Sequence, residues 1–161
     1  REPAAEIGFV RDITRTSLGH EHPLLEKRAQ TWTAPAMHSS IIKRLPTGAQ
    51  VLAMSPNTPI EAAEIRHGNG VFWGVQYHPE LSLGEIAASL RHQSDDVIEQ
   101  GLAQGTEDVD EITNQLDALD LDPTRADLAW RFGLNEQITR FELRMTEVEN
   151  YLRAVAAGRL A

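Results

Sequence analysis

The sequence contains no cysteine among its 161 residues. Disulfides, thiolate metal sites and a cysteine nucleophile supplied by these residues are therefore excluded. Only 15 Lys and Arg residues stand against 24 Asp and Glu residues, a net charge of −9, so neither nucleic acid nor an anionic membrane is an expected partner. No run of about 18 apolar residues occurs, and the first residues lack the pattern of a signal peptide. These absences predict a soluble, cytoplasmic protein.

The composition that is present is typical of a globular protein, with 41% hydrophobic and 24% charged residues. The charge is uneven, because residues 1–95 carry nine basic and ten acidic side chains whereas residues 96–161 carry six and fourteen. Glycine, proline, aromatic residues and β-rich runs concentrate in the first part, and good helix formers in the second. The sequence therefore predicts two domains, at residues 1–93 and 94–161.

Residues 1–93 show a mostly β pattern with short connectors. Strand-like runs occupy residues 6–14, 30–34, 50–54, 60–66 and 71–77. The Asn69-Gly70 pair between the last two runs tolerates the positive φ angles of a tight turn, so these strands should form an antiparallel hairpin. The run VFWGVQY is apolar at successive positions, which predicts a strand covered on both faces within a layered α/β fold.

Helices are predicted over most of the remaining chain. Ser82 followed by Glu85 is a capping-box pattern that predicts a helix over residues 82–92. Further helices are expected over residues 95–104, 107–119 and 123–132, and the longest over residues 135–157. Spacing places one apolar stripe on that last helix, and it consists of Ile138, Phe141, Met145, Val148, Leu152 and Val155. We expect this stripe to pack inside the protein, with a dimer seam as the less favoured interpretation.

The residues with chemical potential lie at Gly74-Val75-Gln76-Tyr77-His78-Pro79-Glu80, where an apolar strand ends in a base, a proline and a carboxylate. Residues i and i+2 of an extended segment point the same way, so His78 and Glu80 can converge. A carboxylate beside an imidazole fixes its tautomer and stabilises its protonated form, which is part of a nucleophilic triad that still needs Ser, Cys or Thr. On spacing alone, a surface His beside a Glu is the favoured interpretation.

This segment, GVQYHPE, resembles the Gly-x-Gln-x-His-Pro-Glu signature of class I glutamine amidotransferases. The resemblance extends to the preceding hairpin, IEAAEIRHGNGVFW, and to Ala36-Met37-His38-Ser39, and it covers about residues 5–92. The tail sequences DPTRADLAWRFG and EVENYL are similar to an extension of stand-alone, GMP-synthase-like members. The resemblance implies an α/β fold, part of the three-layer class I glutamine amidotransferase-like sheet, followed by an all-α extension.

The resemblance also implies an activity, the hydrolysis of glutamine to glutamate and ammonia by a Cys-His-Glu triad. His78 would be the general base and then the acid, and Glu80 would orient it. Met37, His38 and Ser39 would lie near the bound glutamine, with no metal and no cofactor. Because the triad cysteine is missing, these 161 residues are predicted to be inactive, and the start at Arg1 favours a fragment over a natural pseudoenzyme.

Two other functions stay open at this point: a non-catalytic interaction module, and a γ-glutamyl hydrolase or peptidase of the same fold. Glutamine is the expected small-molecule partner, and a synthetase or a second copy bound through the helical tail are possible protein partners.

His38 has an alternative structural role, ending a strand by bonding to the backbone. The segment at residues 20–22, His-Glu-His, lacks the spacing of a zinc site and is predicted to be an exposed loop. Three tryptophans are predicted to lie in the core: Trp32, Trp73 and Trp130.

Overall fold

A computed structural model describes residues 6–160 of the chain. It contains a five-stranded sheet, whose strands are β1 (Glu6–Arg15), β2 (Thr31–His38), β3 (Gln50–Met54), β4 (Ala62–His67) and β5 (Gly70–Val75). A short helix, α1 (Ser17–Glu21), and a 3-10 turn (Pro23–Leu25) join β1 to β2. The predicted α/β class is confirmed.

The described chain after β5 forms helices and connectors. The helices are α2 (Leu83–His92), α3 (Ser94–Glu99), α4 (Thr106–Leu121), α5 (Ala126–Arg131), α6 (Glu136–Thr139), α7 (Phe141–Arg144) and α8 (Thr146–Ala156). At the start of α2, the side chain of Ser82 accepts a hydrogen bond from the backbone of Glu85, and the Glu85 side chain accepts one from the backbone of Ser82. The predicted capping box is therefore confirmed.

The chain divides into two compact units. One unit contains the chain through Glu80 and again from Glu142 onward, and the other is Leu81–Phe141. The first unit holds the whole sheet together with α8. The boundary at residues 93 and 94, inferred from charge and composition, stays a prediction.

The sheet has the order β2-β1-β3-β4-β5, and its described ladders are all antiparallel. After β5 the chain turns back toward β2, at the opposite edge of the sheet, where the backbone N–H of His78 donates to the carbonyl of Pro35 at 2.8 Å. The sheet is therefore curled, and the segment that carries His78 bridges its two edges. Pro35 is compatible with β2 because β2 is an edge strand. One row of backbone groups on an edge strand makes no ladder hydrogen bonds, so the N–H that proline lacks is not required there.

The hairpin of β4 and β5 is confirmed as antiparallel, with His67 paired to Gly70. The residue with a positive φ is Gly68, at 57°, and not Asn69 as the Asn-Gly pattern suggested. A two-residue loop with glycine first and a positive φ there is of the type II′ kind, which matches the right-handed twist of the flanking strands.

The prediction that β5 is covered on both faces was wrong. It is an edge strand, and the side chain of Phe72 is 61% exposed. A run of apolar residues at successive positions is also compatible with an edge strand that shows part of its surface, because periodicity does not report what covers a strand. The ring of Phe72 lies over Gly74, where an added Cβ would meet it at 2.6 Å.

The predicted helix over residues 135–157 is broken into three pieces, α6, α7 and α8, and the longest described helix is α4 with 16 residues. A distant residue accounts for one break. The guanidinium of Arg28 donates to the carbonyls of Leu143 and Arg144, at 2.6 and 3.0 Å. These carbonyls are thereby satisfied outside a continuous helix, and α8 begins only at Thr146.

The main apolar core of the sheet unit lies under β1, β2, β3 and β4. Trp32 belongs to this core, as predicted, and Trp73 is partly buried against it. Trp130 is 85% exposed, so its assignment to a core was wrong. Among the described residues, no helix combines the length and the apolar character that crossing a membrane requires.

Candidate functional site

His78 and Glu80 converge at the end of the segment that follows β5. The Nδ1 atom of His78 lies 2.8 Å from Oε1 of Glu80, a hydrogen-bonding distance. The ring of His78 is 39% exposed and the side chain of Glu80 is 55% exposed. The extended backbone brings together two residues that are only two positions apart, which the sequence had suggested.

The contact with Glu80 determines the tautomer of His78. An ionised carboxylate only accepts hydrogen bonds, so Nδ1 must carry the proton and Nε2 is left with its lone pair. A neutral imidazole in this state can accept a proton at Nε2, and the nearby carboxylate stabilises the imidazolium that results. The pair can therefore serve as a base and its orienting group.

Two backbone hydrogen bonds hold the segment that leads to His78. The N–H of Gln76 donates to the carbonyl of Glu61 at 2.7 Å, and the N–H of His78 donates to the carbonyl of Pro35 at 2.8 Å. Between these anchors Tyr77 is almost completely buried. The side chains of successive residues in an extended segment point to opposite sides, so burial of Tyr77 turns His78 outward.

The hydroxyl of Tyr77 reaches a buried ion pair. It donates to Oε1 of Glu147 at 2.8 Å, and the Nε atom of Arg28 donates to the same oxygen at 2.7 Å. The Nη2 atom of Arg28 also donates to the second carboxylate oxygen of Glu147, and the guanidinium lies over the ring of Trp32, 5.5 Å from its centroid. The two charges are buried but bidentate and hydrogen-bonded, the condition under which a buried pair is tolerated.

Met37, His38 and Ser39 lie where β2 ends. The sulfur of Met37 accepts a hydrogen bond from the backbone of Gly8 at 3.3 Å, whereas Ser39 is exposed beyond the strand. Met37 follows Pro35 by two residues, about 7 Å along an extended strand. The carbonyl of Pro35 accepts the hydrogen bond from the backbone N–H of His78. Met37 therefore lies only two residues along β2 from the point where that strand contacts the His78 backbone.

His38 is part of a buried acidic cluster that the sequence analysis did not identify. Its Nε2 atom lies 3.1 Å from Oε2 of Glu6, and Glu61 is fully buried nearby. Burial raises the pKa of Glu6, against the lowering effect of the His38 charge. Burial raises the pKa of Glu61 to about 7, an effect that the Ser55 hydroxyl opposes and the charge of Glu6 reinforces.

Another buried carboxylate, Glu64, has a pKa shifted in the direction opposite to that of Glu61. It accepts hydrogen bonds from Trp73 at 2.8 Å and Arg66 at 2.6 Å, and its Oε2 lies 3.1 Å from Nε2 of His22. Burial alone would raise the pKa of Glu64, but the hydrogen bonds from Arg66, Trp73 and His22 outweigh it and lower the pKa to about 2. Because Nδ1 of His22 accepts from the backbone of Leu24, its Nε2 carries the proton given to Glu64.

The exposed loop predicted around residues 20–22 is correct only in part. His20 is exposed, at the end of α1, whereas the ring of His22 is largely buried against Glu64 and Trp73. Within residues 6–160, no group of three or more His, Asp or Glu side chains is arranged so that it could hold a metal ion.

The comparison with protein families points to one family. Residues 16–80 match the model of the Peptidase C26 family. This part of the chain therefore resembles the class I glutamine amidotransferases. The match ends at Glu80, so it includes β2 to β5 and both His78 and Glu80, and the predicted resemblance is confirmed over this part of the chain.

Curated relatives agree with this result. The chain is 41% identical over 98 residues to the γ-glutamyl-L-1-hydroxyisopropylamide hydrolase of a Pseudomonas species, covering 61% of this chain and 33% of that protein. It is 33% identical over 89 residues to the glutamine-hydrolysing GMP synthase of Thermosipho melanesiensis, covering 52% and 17%. It is 30% identical over 78 residues to a glutamine-hydrolysing GMP synthase subunit of Methanocaldococcus jannaschii, covering 48% and 40%.

One solved structure also resembles the chain. The crystal structure of SMU.1228c aligns with a TM-score of 0.51 and 28% sequence identity, covering 61% of this chain and 39% of that one. The alignments therefore span between about a sixth and two fifths of the lengths of the relatives described here.

The residues that could not be identified from the sequence contact partners that are far away along the chain. Arg28 and Glu147 are separated by 119 residues, and Tyr77 and Glu147 by 70. No periodic pattern reports such pairs. A weak signal existed for Glu61 and Glu64, because charged residues within the otherwise apolar run IEAAEI need a buried partner or a shifted pKa.

Proposed function

We propose that the protein acts on the γ-amide group of glutamine, releasing glutamate and ammonia, and that His78 and Glu80 are two of its three catalytic residues. The observation that carries this proposal is the 2.8 Å contact between Nδ1 of His78 and Oε1 of Glu80, in a segment matched by the Peptidase C26 model. The third residue is a cysteine from outside these 161 residues, because the chain contains none.

The proposed reaction follows from the tautomer of His78. Nε2 accepts the thiol proton, and the thiolate attacks the amide carbon to form a tetrahedral intermediate. His78 then gives the proton to the departing nitrogen, so that ammonia leaves and a glutamyl thioester remains. A water molecule gives a proton to Nε2 and attacks the thioester, which releases glutamate and restores the thiol. Glu80 stabilises the imidazolium at each stage.

Met37, His38 and Ser39 are proposed to contact the glutamine. Their position at the end of β2, close along the chain to the Pro35 carbonyl that receives the His78 N–H, supports this assignment. The contact between Nε2 of His38 and Oε2 of Glu6 would fix the orientation of the His38 ring. Under this proposal a separate synthetase receives the ammonia, as the names of the GMP synthase subunits from Methanocaldococcus and Ignicoccus suggest.

A second candidate is the hydrolysis of N-substituted γ-glutamyl amides. It is favoured by one observation, the 41% identity to a γ-glutamyl-L-1-hydroxyisopropylamide hydrolase over 98 residues. The same His78 chemistry would serve, with an amine leaving in place of ammonia. The two candidates differ only in what the site accepts on the amide nitrogen.

The test uses the reading frame that contains this chain and any cysteine encoded upstream of it. Its product should release glutamate from glutamine, and His78→Asn should lower kcat by about 10²–10⁴-fold. Glu80→Gln should lower it less, and the exposed His92→Asn should leave it unchanged. Faster turnover of γ-glutamyl-N-alkylamides than of glutamine would favour the second candidate. A product that is inactive on both, or a His78→Asn variant with full activity, would contradict the proposal.

A further inference from the structure

Helix α8 borders both neighbours of His78 in the chain. Tyr77 is buried, and its hydroxyl donates to Oε1 of Glu147 at 2.8 Å. Pro79 is buried as well, and it lines a groove between α8 and β5 together with Glu147 and Val148. The segment that carries the proposed base is therefore built against the C-terminal helix on either side of that base.

Arg28 fixes the position of the Glu147 carboxylate. Its Nε atom donates to Oε1 of Glu147 at 2.7 Å, and its Nη2 atom donates to the second oxygen. The same guanidinium donates to the carbonyls of Leu143 and Arg144 in α7. The side chains of Arg28 and Glu147 are only 1% and 3% exposed. A bidentate pair with further hydrogen bonds has a defined geometry, so Tyr77 meets its acceptor at a defined place.

The ring of Tyr77 is fixed at the hydroxyl and at the ring itself. Burial and the charge of Glu147 raise the pKa of Tyr77 well above its ordinary range, so the hydroxyl keeps the proton that it donates. The ring meets the indole of Trp32 edge to face, with centroids 6.0 Å apart. Successive side chains of an extended segment point to opposite sides, so a fixed Tyr77 ring also fixes the direction of His78.

Stability alone does not account for this arrangement, because a buried ion pair is often no more stabilising than apolar residues of similar volume. We propose that Glu147 is a positioning residue, which acts through the Tyr77 hydroxyl to fix the direction in which the His78 ring points. The inference rests on the proposed function, which makes His78 the base. Helix α8 thereby helps to align the base, although it contributes no group to the reaction itself.

The first experiment measures kcat and KM for the product of the complete reading frame, with glutamine or a γ-glutamyl alkylamide, whichever is hydrolysed faster. Tyr77→Phe removes the hydroxyl and keeps the ring. It should lower kcat by about 10–10²-fold with little change in KM, the effect of a small misplacement of a reacting group.

Thr113→Val is the matched control for Tyr77→Phe. Thr113 is fully buried on α4, and its hydroxyl donates to the carbonyl of Val109 at 2.8 Å. Its replacement also removes one buried, hydrogen-bonded hydroxyl, so it should cost a similar amount of stability and leave kcat unchanged. A Tyr77→Phe variant with the kcat of the parent, or a control that loses kcat equally, would overturn the inference.

Substitutions at Glu147 separate positioning from stability. Glu147→Gln keeps an acceptor for Tyr77 but removes the charge that Arg28 needs, whereas Glu147→Ala removes both. Both should destabilise the protein, but Glu147→Gln should keep most of the kcat that Glu147→Ala loses. Adding Tyr77→Phe to Glu147→Ala should lower kcat no further, because the two changes remove the same hydrogen bond.

Additive losses of kcat, or a kcat that simply follows the free energy of unfolding across these variants, would contradict a positioning role. If Glu147→Ala does not fold, the comparison of Tyr77→Phe with Thr113→Val decides the matter alone.

Amide hydrogen exchange of the same product gives a measurement that does not depend on activity. It reports how firmly the N–H groups of Gln76 and His78 are held in the two backbone hydrogen bonds described above. Exchange at both should be faster in Tyr77→Phe and unchanged in Thr113→Val. A parent that hydrolyses neither substrate would overturn the proposed function. Unchanged exchange in Tyr77→Phe would overturn the role of Glu147 and leave the proposed function standing.

Discussion

The carboxylate of Glu147 accepts a hydrogen bond from the hydroxyl of Tyr77, the residue that immediately precedes His78, at 2.8 Å. The same carboxylate is paired with Arg28. The C-terminal helix α8 is thus connected through one buried carboxylate to the segment that carries the proposed base. Stability of that segment and integrity of α8 should therefore depend on each other.

The first prediction concerns this cluster. Glu147→Ala leaves the guanidinium of Arg28 buried without its partner and should lower the free energy of unfolding by about 3–5 kcal/mol. Tyr77→Phe removes only the hydroxyl and should cost about 1 kcal/mol. Urea unfolding, followed by circular dichroism, measures both values.

Glu149→Ala is the matched control, since Glu149 lies on the same helix but in an exposed pair with Arg153. This variant should change the free energy of unfolding by about 0.5 kcal/mol or less. Equal losses for Glu147→Ala and Glu149→Ala would show that the buried pair has no special importance.

The second prediction is a pH dependence of stability that arises from Glu61. Its pKa is raised to about 7 in the folded protein, from 4.5, so between these values the folded state holds a proton that the unfolded state has lost. The stabilisation by this proton is complete below pH 4.5 and is lost as the pH rises to 7. Glu61→Gln should therefore raise the free energy of unfolding at pH 8 by about 1–3 kcal/mol, with little change at pH 4.

Glu64 provides the control with the opposite sign. Its pKa is lowered to about 2, from 4.5, so its stabilising effect is complete above pH 4.5 and is lost as the pH falls toward 2. Glu64→Gln should destabilise the protein at pH 7 and lose this effect near pH 2. Denaturant midpoints measured from pH 2 to pH 8 should separate the two variants. If both variants move the midpoint in the same direction at pH 8, the assignment for Glu61 is wrong.

The third prediction concerns the close approach of α1 to β3. A Cβ added at Gly19 would lie 1.8 Å from the carbonyl oxygen of Leu52, a backbone atom that cannot move aside without disturbing the sheet. Gly19→Ala should therefore lower the free energy of unfolding by about 3 kcal/mol or more, or prevent folding.

Gly105→Ala is the comparison for Gly19→Ala. A Cβ at Gly105 would have no atom within 4 Å, and its φ of −176° is accessible to alanine. We expect the Gly105 variant to remain within about 0.5 kcal/mol of the parent chain. Thermal unfolding of the two variants side by side decides the matter, and a Gly19→Ala variant as stable as the parent would rule out the tight contact.

Local signals in the sequence were accurate where neighbouring residues alone decide the structure. The capping box of Ser82 and Glu85, the strand at Gln50–Met54 and the antiparallel hairpin before His78 all depend on residues a few positions apart. The proximity of His78 and Glu80 belongs to the same class, because an extended backbone sends alternate side chains the same way. The apolar pattern failed to predict the exposure of β5, and the apolar context of Trp130 failed to predict the exposure of that residue, because exposure depends on which element lies alongside.

The sequence by itself determined the capped helix that begins after Ser82, the antiparallel hairpin and the local convergence of His78 with Glu80, since each follows from spacing along a few residues. Only the tertiary structure decided that α8 buries Glu147 and Asn150, that the expected long helix is interrupted, and that Glu61 is buried with a raised pKa. The physical reason is distance along the chain. Arg28 donates hydrogen bonds to one carboxylate and two carbonyls more than a hundred residues away. A local sequence pattern does not indicate which distant groups such a charge will contact.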